Sequence, residues 1–125
     1  MKATFFPDQL AFRAWLEVNH HKESELLVGF FKVKSGKPSM TWSQSVDQAL
    51  CFGWIDSVRR TIDAESYSIR FTPRKNTQNW SAINIQKVKE LVASGLMTDA
   101  GLRVFNTSHE TKEEHYSYEK TSKLA

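Results

Sequence analysis

A chain of 125 residues holds material for one domain and little more. With 40% apolar and 12% aromatic residues it can build a real core, and 17 Lys+Arg against 14 Asp+Glu leave a net charge of +3. Disordered acidic tails, collagen-like repeats and disulfide scaffolds are excluded, since the single Cys51 has no partner for an internal bridge.

The first residues lack the apolar stretch of a signal peptide. The densest apolar runs, 26–31 and 49–55, fall short of the roughly 20 residues of a membrane helix. A cytoplasmic location without membrane insertion is expected.

In chain order, a first helix is predicted over 8–20, with Phe12, Trp15, Leu16 and Asn19 on one face. A strand follows over 25–34, apolar on both faces and therefore central and at least partly covered on both sides. Ser35 to Ser39, with Gly36 and Pro38, reads as a loop. Thr41-Trp42-Ser43-Gln44 matches a capping box and opens a second helix, with Trp42, Val46, Ala49 and Leu50 inward and Gly53 as its stop. Two strands over 54–62 and 66–73 form a hairpin about Asp63-Ala64-Glu65-Ser66. A third helix runs over 81–94, with Asn79 or Ser81 as cap, Ile85, Val88, Leu91 and Val92 inward, and Gly95 as stop. A short fourth helix starts near Thr98-Asp99 and passes through Leu102, Val104 and Phe105.

The order α-β-α-β-β-α-α gives an α+β fold: a small antiparallel sheet of about three strands packed with about four helices. A single domain is expected over 1–108. Residues 109–125 read as a polar C-terminal tail, disordered or extended, from which Tyr116 and Tyr118 stand out.

Chemical signal is densest between Trp54 and Asn84. If the hairpin sets Ile62 opposite Tyr67 and Arg60 opposite Ile69, then Arg59 faces Arg70 on the other side. Like charges so placed need a carboxylate or an anion between them, and a one-residue bulge would remove the juxtaposition. Guanidinium forks suit phosphate and carboxylate, and indoles suit planar ligands or cations. The expected ligand site is an anion-tolerant pocket with Arg70 and Arg74 as donors, Trp54 and Trp80 as walls, and Asp56 and Asn84 as orienting polar groups. The same residue types also build a structural network, with Asp56 on an arginine and the tryptophans in the core. Both readings stand at this point.

Other chemistry is weak. His20 and His21 are adjacent and diverge on a helix, so no shared metal is expected. His109, Glu110, Glu113, Glu114 and His115 lie in the tail, where metal geometry is hard to hold. Cys51 reads as a buried core residue without a basic neighbour in sequence. No nucleotide, hydrolase or zinc-protease motif occurs. No metal and no cofactor are expected, and no catalytic residue is assigned.

The strings Trp42-Ser43-Gln44-Ser45-Val46-Asp47-Gln48-Ala49-Leu50-Cys51-Phe52-Gly53-Trp54-Ile55-Asp56-Ser57, Arg70-Phe71-Thr72-Pro73-Arg74, Trp80-Ser81-Ala82-Ile83-Asn84 and Gly95-Leu96-Met97-Thr98-Asp99-Ala100-Gly101 resemble the YdeI/OmpD-associated family, also labelled bacteriocin-protection proteins. The resemblance spans about residues 5–108, and this chain would be a short form. It implies a bacterial stress or bacteriocin-protection role without a defined reaction.

The leading expectation is a cytoplasmic binding module for an anionic small molecule or a protein partner. The alternative is an enzyme with Asp56 as acid or base. Nucleic-acid binding through Arg59, Arg60, Arg70, Arg74, Lys75, Lys87 and Lys89 ranks last, because acidic residues are interspersed and no known motif fits. No oligomeric state is implied.

Overall fold

The computed structural model describes residues 2–75 and 80–107. Its elements run β1 (Thr4–Phe5), α1 (Gln9–Asn19), β2 (Leu26–Phe31), a 3-10 turn (Val33–Ser35), α2 (Trp42–Cys51), β3 (Trp54–Thr61), β4 (Ser66–Pro73), α3 (Ala82–Ala93) and α4 (99–107). The predicted tail over 109–125 lies outside the described residues, as do Asn79 and the histidine–glutamate cluster.

Period-two patterning makes the sheet. Leu26, Val28 and Phe30 share one face of β2 and stand opposite Phe71, Ile69 and Tyr67 of antiparallel β4. The sheet order is β1-β2-β4-β3, with β1 parallel to β2 and the other pairs antiparallel. The fold is α+β as expected, with four strands rather than about three, in a mixed rather than purely antiparallel sheet. The added strand, β1, is only two residues long. Its Phe5 ring stacks on Phe31 at 4.4 Å and occupies the space over Gly29, where a Cβ would come within 2.6 Å of that ring.

The helices cover the Val28–Ile69 face. Helix α1 begins at Asp8, whose carboxylate accepts the Ala11 amide at 2.9 Å. It buries Phe12 and Leu16, and Phe12 meets Phe71 edge-on at 5.3 Å. The capping box of α2 forms as predicted, with Thr41 and Gln44 exchanging hydrogen bonds of 3.0 and 3.1 Å. Val46, Ala49, Leu50 and Cys51 of α2 join the core. Helix α3 adds Val88 and Leu91, and its Lys87 reaches Asp47 at 2.8 Å and Ser43 at 3.1 Å. No helix among the described residues is long and apolar enough to cross a membrane.

Three expectations are corrected. Trp42 is half exposed, because its indole N–H is drawn to the Asp56 carboxylate on β3 at 3.0 Å. Val92 is exposed, since α3 packs against α2 along a narrow Val88–Leu91 stripe. The hairpin register also differs by one residue from the turn onward, with Thr61 opposite Tyr67, Arg60 opposite Ser68 and Arg59 opposite Ile69, and a bulge between Asp56 and Arg59 then sets Asp56 opposite Phe71. Arg59 therefore does not face Arg70. Its guanidinium lies over the Tyr67 ring at 3.9 Å.

Candidate functional site

The α2–β3 turn fixes the position of α4. Gly53 adopts φ 77°, a left-handed conformation that ends α2. A Cβ there would also meet Val104 at 2.7 Å. Gly101 lies so close to the Cys51 carbonyl that no side chain fits between them. The Thr98 hydroxyl donates to the same carbonyl, and the Thr98 amide donates to it at 3.1 Å. The Thr98 oxygen in turn accepts the Gly101 amide at 3.3 Å, capping the helix.

This junction leaves an open cleft of about 410 Å³ lined by Glu17, His20, Phe52, Thr98, Asp99, Ala100 and Arg103. Glu17 and His20 come from the end of α1, Phe52 from the turn, and the rest from the start of α4. The His20 ring packs on Phe52 at 5.1 Å, and its Nδ1 donates to the Leu16 carbonyl at 2.7 Å. A carbonyl can only accept, so neutral His20 carries its proton on Nδ1 and keeps Nε2 as an acceptor. The Trp54 indole N–H donates to the His20 carbonyl at 3.3 Å and fixes the backbone below the ring. Arg13 lies over Phe52 at 5.1 Å and donates to Gln48 at 3.0 Å and to the Leu96 carbonyl at 2.9 Å.

Asp99 and Ala100 follow the Thr98 cap, so their amides have no carbonyl within the helix to reach. Together with the positive end of the helix and Arg103, they can hold an anionic group. Among the described residues, no salt bridge includes Asp99 or Arg103. None of the described His, Cys, Asp and Glu residues gathers into a group of three or more able to hold a metal.

The residues predicted for the ligand site lie in several places. Trp54 is 1% exposed in the core, edge-on to Trp15 at 5.7 Å. Asp56 holds the Trp42 indole. Arg70 donates to Glu25 at 2.8 Å, so a protein carboxylate meets its charge. Arg74 and Trp80 do come together: the guanidinium stacks on the indole at 4.0 Å, and Phe105 of α4 meets that indole edge-on at 5.0 Å. Burial pulls the Arg74 pKa below its ordinary value. Asn84 sits in the first turn of α3, where its amide donates to the Ser81 cap at 3.1 Å.

None of these six residues lines the cleft. Cys51 is fully buried, and desolvation raises its thiol pKa despite a hydrogen bond from Arg13. The cleft residues escaped the sequence reading. The signals for them were the Thr98-Asp99 helix start and the Gly101 that lets this helix approach α2.

Residues 4–104 match a family described as a domain of unknown function, DUF8412, and the chain belongs to that family. No curated protein and no solved structure matches the chain. The expected membership of the YdeI/OmpD-associated family is thereby corrected: the family match across those strings is to DUF8412, and nothing links the chain to the other family. The resemblance therefore no longer supports the stress and bacteriocin-protection role it implied.

Proposed function

We propose that this domain is a binding module for a small molecule bearing an acidic group, seated in the cleft at the start of α4. The observation that carries the reading is an open hollow of about 410 Å³ lined by Arg103 and by the first residues of α4, Asp99 and Ala100. The anion-tolerant site expected from the hairpin is thus moved to α4. Phe52 and Ala100 supply a small apolar floor, and His20 Nε2 can accept a hydrogen bond from the ligand. A reducing compartment such as the cytoplasm suits a chain whose one cysteine is a buried thiol.

The test is an amide chemical-shift titration with small carboxylates, from acetate to succinate. Saturable shifts gathered at Phe52, Thr98, Ala100 and Arg103, and weakened by Arg103→Gln, are expected. Shifts that never saturate, or that gather around Arg74 and Trp80 instead, would overturn the reading.

A further inference from the structure

Strand β3 borders the sheet, so among the described residues only its β4 side is paired. The Ile62 amide donates to the Ser66 carbonyl at 3.1 Å and so points toward β4. Alternation along the antiparallel ladder turns the Arg60 amide the same way, and the Arg59 and Thr61 amides outward. Residues 57–61 are all exposed, and Val58 and Ile62 are about half exposed. An open edge with apolar side chains is a template for another strand.

Charge narrows the choice of that strand. Arg59 and Arg60 point to opposite faces of the sheet: Arg59 stands opposite Ile69 and lies over the Tyr67 ring at 3.9 Å, and Arg60 stands opposite Ser68. Among the described residues, neither enters a salt bridge. A second copy of β3 would bring two more arginines to the same edge. Residues 57–61 carry +2, and an extended segment with two adjacent carboxylates offers one to each face.

The chain holds such a segment. Residues 110–118 contain Glu110, Glu113 and Glu114 against Lys112, giving −2 with His115 neutral. Helix α4 delivers the chain to the start of β3, since Val104 lies where a Cβ on Gly53 would touch it and Phe105 meets Trp80. Glu113 comes six residues after Thr107, as Arg59 comes six after Gly53, about 20 Å of extended chain in each case. We propose that residues 110–118 lie along the outer edge of β3 as a fifth strand, parallel to it, with Glu113 beside Arg59, Glu114 beside Arg60 and Tyr116 beside Ile62. Its backbone accepts the Arg59 and Thr61 amides, and the edge is closed to other chains.

Amide hydrogen exchange of the intact chain, read residue by residue at low ionic strength, tests this. The Arg59 and Thr61 amides are expected to exchange about tenfold or more slower than their intrinsic rates. Glu113→Lys with Glu114→Lys should speed them about fivefold or more, as two exposed ion pairs turn to repulsion. The Arg60 and Ile62 amides, which face β4, should keep their protection. Adding Arg59→Glu with Arg60→Glu to that variant should restore protection at positions 59 and 61. Unprotected Arg59 and Thr61 amides in the unaltered chain, or protection indifferent to the charge at Glu113 and Glu114, would overturn the proposal. Protection that rises with protein concentration would also overturn it, in favour of a segment supplied by a second copy.

Discussion

Around the hairpin, Arg59 lies over Tyr67, Arg70 reaches Glu25 and Arg74 stacks on Trp80. At the start of α4, Arg103 and Asp99 line a cleft without closing on each other. The hairpin is the region in which sequence composition concentrates guanidinium and indole groups, yet three of its four arginines are met by the protein's own rings or by a carboxylate. The α4 region has one arginine and an ordinary helix start, yet its polar groups face open space. Density of capable side chains along a chain measures how much chemistry a segment can supply. What remains for a ligand depends on which groups the fold pairs internally.

The largest effect that sharpens this contrast is expected at Trp54. As a core residue it should cost about 3–5 kcal/mol on truncation to alanine, read as a fall in the denaturant midpoint. A loss under about 1 kcal/mol would return it to the role of a solvent-facing wall. Gly101→Ala comes next. A methyl group there meets the Cys51 carbonyl, and overpacking of this kind costs about 1–3 kcal/mol. Ligand-induced shifts at Thr98 and Ala100 should change with it, while the hairpin spectrum stays in place.

Arg70→Gln should cost less than about 1 kcal/mol, because its ion pair with Glu25 is largely solvated. It should leave binding at the cleft unaltered. The smallest effect concerns acid. The Asp63 carboxylate accepts the Glu65 amide at 2.9 Å and the Ser66 hydroxyl at 2.8 Å, bonds that hold its pKa below the ordinary carboxylate value. The stability it adds is fully present above that ordinary value and is lost as the pH falls through the lowered one. Asp63→Asn should therefore flatten the acid limb of the stability profile slightly, as followed by midpoints at successive pH.

Local signals carried much of the fold. The capping box at Thr41, the left-handed stops at Gly53 and Gly95 and the Asp63 turn are each set by residues within a few positions of one another. Long-range pairing was less legible. The two residues of β1 are too short to show a period and are held by the Phe5–Phe31 stack. The one-residue register offset at the turn, which parts Arg59 from Arg70, leaves no composition mark, and it changes every facing pair along the hairpin. The cleft was hidden for the same reason: Glu17 and His20 approach Asp99 and Arg103 only because Gly101 permits α4 to settle against the end of α2.

The central claim is that the cleft beside α4, and not the hairpin, receives the ligand. Its most direct test is a single amide titration with succinate, comparing Phe52, Thr98, Ala100 and Arg103 with Arg59, Arg70, Arg74 and Trp80. Saturable shifts in the first group with a quiet second group are the predicted result. Shifts confined to the second group would contradict the account.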